Sequence, residues 1–412
     1  MTRWRDRAKH VSLYAWATVI STAVSFITVP ITIVTLGAGQ WSSYALGQSL
    51  GAIGALVTAW GWSITGVPEL ASAATHGRKK VIHDSSTPRV LLFVVAASLA
   101  GAGAYQIAPH SQIACFAAIA STAQGLSLGW AYIGLGAPRA FVVVDVMPRA
   151  AGLLAGALLT TVMPAWILPL GVLIGNLGSY GIAAAELSRR LGSSLPYWSS
   201  PRQSILVLKS RSPGVIADLA SAVYLSLPIV IVGAITPLAL PIFALSDKLQ
   251  RFSKAAFWPL VQASQHWAMK DSQVVHSKVQ QAVRASRVIG VLFGFGFATL
   301  SPLAASILSA NTIRLGWDIT IPFGIAFGLS IVAMGTGMIG LTAYRRFKSL
   351  AVANAAAGIL AAVLLVPATA IAGASGAAWV IVAAETVVVI LQSLSLARCA
   401  RPSTPGLAAG VT

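Results

Sequence analysis

The chain has 412 residues, 56% of them hydrophobic and only 9% charged, with a mean hydropathy of +0.79. Soluble domains carry about 25% charged residues, so a water-soluble enzyme or binding module is excluded and an integral membrane protein is implied. The formal charge of +18 invites a nucleic-acid reading, and the placement of the cations decides it.

A spanning helix needs about 20 apolar residues. Apolar segments fall at 12–36, 44–67, 90–108, 113–135, 141–163 and 165–187. A polar stretch around 189–213 follows, then segments at 215–236, 241–263, 283–308, 319–344, 350–370 and 376–397. The first lies behind MTRWRDRAKHVSLY and shows no small-residue cleavage site, so it reads as a retained helix. The expected fold is all-α with about twelve transmembrane helices. Two six-helix bundles, 1–190 and 213–412, are joined by a linker at 191–212.

The cations alternate along the chain. Arg3, Arg5, Arg7 and Lys9 precede segment 1, and the turn after it has none. Arg78, Lys79, Lys80 and Arg89 lie between segments 2 and 3. Arg139 and Arg149 flank segment 5, and Arg189, Arg190, Arg202, Lys209 and Arg211 fill the central stretch. The 8–9 region holds Lys248, Arg251, Lys254, Lys270, Lys278, Arg284 and Arg287. Arg345, Arg346 and Lys348 follow segment 10, and Arg398 and Arg401 end the chain. Of 28 basic residues, Arg314 alone falls in an outer loop. The rule that positive loops stay inside places both termini in the cytoplasm. The high charge is then a topology signal with attraction to anionic lipid, and no nucleic-acid partner is required.

An internal repeat supports two halves. Ile133-Gly134-Leu135, Ala137, Arg139 and Gly152-Leu153-Leu154-Ala155 match Ile339-Gly340-Leu341, Ala343, Arg345 and Gly358-Ile359-Leu360-Ala361 at an offset of 206. Pro30 and Tyr44-Ala45-Leu46 match Pro228 and Phe243-Ala244-Leu245 at about 199. Six helices per half enter the membrane the same way round, a parallel repeat of the kind found in transporters.

No catalytic or metal constellation is present: G-x-S-x-G, H-E-x-x-H, a P-loop and paired cysteines are all missing. Cys115 and Cys399 stand far apart, and the histidines are scattered over loops and helix ends. What remains is charge inside the membrane, which is rare and usually faces a bundle interior or a wet cavity. Asp145 and Arg149 lie one turn apart in segment 5, equally a local salt bridge or a functional pair. Segment 8 repeats that spacing with Asp247 and Arg251. Helical periodicity puts Asp247, Gln250, Arg251, Lys254, Trp258, Gln262 and Gln265 on one stripe with Lys248 at its edge. Leu245, Leu249, Phe252, Ala256 and Leu260 then face lipid. With Asp247 paired, surplus positive charge remains, and a lipid phosphate would balance it; snorkelling of Lys254 to the interface is the rival reading. The equivalent positions of segment 2 carry Gln48, Ser49, Ala52 and Ala55, so the charge belongs to one half only. Glu385, unpaired in the middle of segment 12, reads as a proton or cation site or as partner of a cavity base. Asp218, Glu69 and Glu186 read as interfacial.

The Leu36-Gly37 to Tyr44 turn, GAPRAFVVVDVMPR at 136–149 and Gly373-Ala374-Ser375-Gly376-Ala377-Ala378 together resemble the polysaccharide flippases of the MATE-like superfamily, which also holds the O-antigen and lipid II flippases. The resemblance implies a V-shaped pair of bundles. Their cavity opens alternately to each side and moves a polyprenyl-phosphate-linked glycan outward. It implies a cationic cavity for the (di)phosphate, to which Arg149, Lys248, Arg251 and Lys254 are assigned by position. Asp145, Asp247, Gln250, Glu385, Asp218 and Gln48 are its polar and ion-coupling candidates. No cofactor is expected beyond proton or sodium coupling. Membrane lipids and a glycan polymerase or glycosyltransferases are the implied partners. The alternatives are a cation-coupled multidrug antiporter on the same fold and a non-transporting scaffold of a glycan assembly complex. The major facilitator architecture is disfavoured, because the 2–3 loop, ASAATHGRKKVIHD, lacks its Asp-Arg signature.

Overall fold

The structure is a computed structural model that describes residues 2–192, 197–269 and 275–400. Twelve helices are named here in chain order. Thr2–Ala59 breaks at Gly37 into α1 (2–36) and α2 (38–59). The next four are α3 (Thr75–Ile107), α4 (Ser111–Gly134), α5 (Pro138–Leu159) and α6 (Ile167–Leu191). Then come α7 (Pro201–Ile235), α8 (Leu240–Met269), α9 (Val275–Leu308) and α10 (Trp317–Leu341). Phe347–Ala400 breaks at Ala372-Gly373 into α11 (347–371) and α12 (374–400). Among the described residues, eight spans are long and apolar enough to cross a membrane, and the two that contain breaks each hold two crossings; α7 and α8 are not among the eight, and α7 contributes the shorter apolar stretch Leu225–Ile235. The chain is a multi-pass membrane protein. Among the described residues there is no strand, as hydrocarbon requires of a chain that does not close a barrel.

Two boundaries differ most from the sequence reading. The α3 helix begins fifteen residues early, at Thr75, so Arg78, Lys79, Lys80 and Arg89 are helical. The stretch read as a linker is helical from Pro201, where Ser200 caps α7 by accepting from Gln203 N at 3.4 Å.

The breaks explain the short motifs. Gly37 has φ 76° and ψ 160°, a region open almost only to glycine. A Cβ there would meet nothing within 4 Å, so the requirement is purely one of backbone. Gly37→Ala is expected to destabilise the protein by about 1–3 kcal/mol, read as a lower midpoint of thermal unfolding in detergent. Gly178→Ala, inside α6 with open space around it, serves as a neutral control. In Gly373–Ala378, Gly373 takes φ 60°, and Gly376 packs against the Ala368 carbonyl. Ser375 Oγ donates to the Asp318 carbonyl at 3.0 Å. That carbonyl has lost its helical partner to Pro322 four residues on, so the serine ties the start of α12 to α10.

Small residues allow close helix approach where lipid offers no hydrophobic drive. Gly47 and Gly51 of α2 sit against the Ala114 and Ala118 carbonyls of α4. Gly152, Gly156, Gly171 and Gly175 make the α5–α6 seam, and Gly290, Gly294, Gly324 and Gly328 make the α9–α10 seam.

One core cluster joins the halves near the end that carries the Gly37 and Ala372-Gly373 breaks: Val29, Ile33 and Leu46 pack with Ile229, Val232 and Phe243. At the opposite end, where the basic residues collect, Arg211 of α7 pairs with Glu69, donates to Thr65 Oγ1 at 2.6 Å and lies 3.5 Å above the Trp62 ring. Trp60 Nε1 donates to the Leu208 carbonyl there at 2.8 Å. The halves are thus bridged at both ends, and the charges of α8 lie between.

Candidate functional site

The α8 helix presents its charges to three neighbours. Arg251 Nε donates to Asp247 Oδ2 at 2.7 Å, and its Nη2 reaches the Leu225 carbonyl at 2.6 Å. That carbonyl stands three residues ahead of Pro228, whose ring opens the α7 hydrogen-bond ladder. Lys254 Nζ lies 3.2 Å from Glu385 Oε1 of α12. Glu385 is buried at 6% exposure, and Lys254 is its partner. Two of the three α8 cations are therefore balanced by carboxylates.

Lys248 is the third. Among the described residues it has no ion pair; its Nζ donates to Gln48 Oε1 of α2 at 3.3 Å. Gln48 Nε2 in turn donates to the Tyr44 hydroxyl at 3.0 Å. Around Lys248 lie Ser25, Thr28 and Thr32 of α1, Tyr44 and Gln48, which with Trp41, Leu153 and Leu168 line a half-polar hollow of about 30 Å³. Such a space holds about one water. The α8 cation that lacks a carboxylate among the described residues thus points across to the N-terminal half, near the hydroxyls of Ser25, Thr28, Thr32 and Tyr44, of which Thr28 and Thr32 donate to α1 carbonyls.

Beside this hollow the halves part. Phe26 of α1 and Phe252 of α8 meet edge-to-face, with ring centroids 5.4 Å apart. Toward the basic end, an apolar cavity of about 860 Å³ opens between Val19, Thr22 and Ala23 of α1 and Ala255, Trp258 and Pro259 of α8. A second cavity of about 660 Å³ lies on the α9 side of α8, against Leu260, Phe293 and Phe297. The sequence reading placed Leu245 and Leu249 in lipid; they are buried in the core shared by the halves. Only Ala256 and Leu260 of that face are exposed. Gln250 is also inside, donating to the Phe323 carbonyl of α10 at 3.2 Å. Gln265 is bonded to the Met338 carbonyl, within the π-helical end of α10.

Arg149 stays apart from this group. Its Nη2 pairs with Asp145 Oδ2 at 2.5 Å and its Nε donates to the Asp145 carbonyl at 3.0 Å. Asp145 is fully buried and also accepts from Ser127 Oγ of α4 at 2.5 Å and Ser179 Oγ of α6 at 3.1 Å. No hydrogen bond among the described residues links this knot to α8. A residue that the sequence reading left in a loop completes it. Arg89 is 2% exposed and donates from Nη2 to the Gly125 and Ser127 carbonyls at 2.5 and 2.7 Å. There α4 is interrupted, and a cation compensates the free carbonyls of a helix C-terminus. Extending the α3 helix back to Thr75 would have revealed Arg89. The side chain of Asp218 lies outside the described residues. Glu186 accepts from the Tyr132 hydroxyl at 2.7 Å and pairs with Arg190. Among the described residues, no group of His, Cys, Asp and Glu is placed to hold a metal ion.

No protein-family profile matches the chain, and no curated protein is similar to it in sequence. Solved structures are similar in fold. Lipid II flippase MurJ in an inward closed conformation superposes with a TM-score of 0.66 at 13% identity, over 93% of this chain and 87% of that one. MATE in complex with MaL6 gives a TM-score of 0.57 at 10% identity, over 95% and 96%. The chain therefore has the fold shared by MurJ and MATE, the MATE-like architecture that its sequence resembles.

Proposed function

We propose that the protein is a flippase that moves a polyprenyl-phosphate-linked sugar or oligosaccharide by alternating access, from the leaflet at the basic end (the cytoplasmic one) to the outer leaflet. The observation that carries this reading is Lys248. Among the described residues it is a cation without a carboxylate partner, held between the halves and set behind an apolar opening between α1 and α8. A charge held there is costly to keep, and a (di)phosphate arriving on a lipid would balance it through charge-assisted hydrogen bonds. The polyprenyl chain fits the apolar cavity, and the Phe26–Phe252 pair stands between that cavity and Lys248. The hollow at Lys248 is too small for a sugar phosphate as it stands, so headgroup binding requires the halves to part. Arg251 and Lys254 support the site while tied to Asp247 and Glu385, and they can join it if the incoming phosphate displaces those carboxylates. The fold likeness to a lipid II flippase supports a lipid-linked substrate.

Purified protein in proteoliposomes tests the reading. A fluorescent lipid-linked sugar should become accessible to a membrane-impermeant reagent at a protein-dependent rate. Export of ethidium-like cations with no movement of the lipid-linked sugar would replace the flippase with a multidrug antiporter, and no transport of either would leave a scaffold.

A further inference from the structure

The α9 helix carries a second amphipathic site, away from the α1–α8 opening. At the basic end a hollow of about 200 Å³ lies between α9, α10 and α12, with Arg284, Arg287, His276 and Gln280 on its α9 wall. His276 Nδ1 is 2.7 Å from the Tyr344 hydroxyl, and its Nε2 is 2.8 Å from Gln280 Nε2. Among the described residues no Asp or Glu lines the hollow, and neither arginine has an ion pair. Steps of three and four residues keep Gln280, Arg284, Arg287, Val291, Gly294 and Phe295 on one face of α9.

Along that face, immediately beyond Arg287, runs an apolar groove of about 580 Å³ between α9 and α10. Its floor is the glycine seam: a Cβ on Gly290 or Gly294 would fall against the Gly328 or Gly324 carbonyl. Without side chains in the seam, the helices touch by backbone and leave a trough. Val291 and Phe295 flank it at 73% and 72% exposure. From Arg287 to Thr299 the trough runs about 18 Å at 1.5 Å per residue, close to the half-thickness of a hydrocarbon core of about 30 Å. Leu292, Phe293 and Gly296 face the other cavity, on the α8 side, so α9 separates the two sites.

We propose that this face holds one anionic phospholipid, its phosphate against Arg284 and Arg287 and an acyl chain in the α9–α10 trough. Basic pockets at the ends of transmembrane helices recognise such headgroups. The trough supplies what a free anion would not use. The site does not depend on the substrate proposed above.

The test is native mass spectrometry of the full chain in detergent, titrated with phosphatidylglycerol, phosphatidylcholine or inorganic phosphate. Phosphatidylglycerol should be retained at least tenfold better than phosphatidylcholine. Arg284→Ala/Arg287→Ala should weaken phosphatidylglycerol binding by about 30-fold, the effect of two arginines near a headgroup. Val291→Trp, which fills the exposed trough, should weaken long-chain but not dihexanoyl phosphatidylglycerol. Equal retention of both lipids, or retention unchanged in the double variant at a wild-type melting temperature, overturns the proposal. Displacement by inorganic phosphate as effective as that by the lipid would also overturn it, marking a free-anion site.

Discussion

Lys248→Ala should lower lipid-linked sugar translocation in proteoliposomes by about 10- to 100-fold, while leaving the midpoint of thermal unfolding unchanged or slightly raised. A hydrogen bond to a charged group contributes about 1.5–3 kcal/mol, which sets the size of the kinetic loss. The stability result has a separate cause. Among the described residues Lys248 has no ion pair and its hydrogen bond is to Gln48, so its removal leaves no buried partner charge behind and relieves a desolvated ammonium. Lys248→Arg should retain much of the activity, because the charge and its donors remain. Arg251→Ala and Lys254→Ala should behave differently from Lys248→Ala, because each strips a carboxylate of its partner and mixes a folding defect into the transport defect. If Lys248→Ala transports like wild type at equal protein levels, the phosphate site between the halves is refuted.

Asp145→Ala should be the most destabilising single change at membrane depth, by about 3–5 kcal/mol, as expected when one partner of a buried pair is removed. Asp145 accepts from Arg149, Ser127 and Ser179 at once. Its loss strands the Arg149 guanidinium and two hydroxyls, beside an Arg89 that is itself buried. Asp145→Asn should fall between, since one side-chain oxygen still accepts. Asp145→Leu/Arg149→Leu should recover most of the loss, because replacing a buried pair with apolar residues is often neutral. The measurement is thermal unfolding in detergent. A single Asp145→Ala variant that melts like wild type would show that the knot is not what holds α4, α5 and α6 together.

The two experiments separate residues that the sequence treated alike. Arg149 and Lys248 were both assigned to the phosphate by position. In the fold, Arg149 closes a knot inside the N-terminal half, whereas Lys248 faces the gap between halves. An i, i+4 acid marks a pair reliably, as Asp145/Arg149 and Asp247/Arg251 both show, because that spacing is built into the helix. A partner on another helix has no such mark. For that reason the sequence left Glu385 open between a proton or cation site and the partner of a cavity base, and it meets Lys254 across 131 positions of sequence.

What the sequence by itself determined is the class of molecule, the crossings and the breaks between them. Those follow from local quantities: apolar length, glycine between apolar runs and the alternation of Lys and Arg. It also located α8 as the charged helix, since charge in an apolar run needs no tertiary knowledge to be noticed. Only the tertiary structure decided which of those charges is unbalanced. Glu385, Leu225 and Gln48 are distant in the chain and become neighbours solely through the packing of α12, α7 and α2 against α8. It also decided that Leu245 and Leu249 are core rather than lipid-facing, because an apolar face looks the same whether lipid or protein covers it.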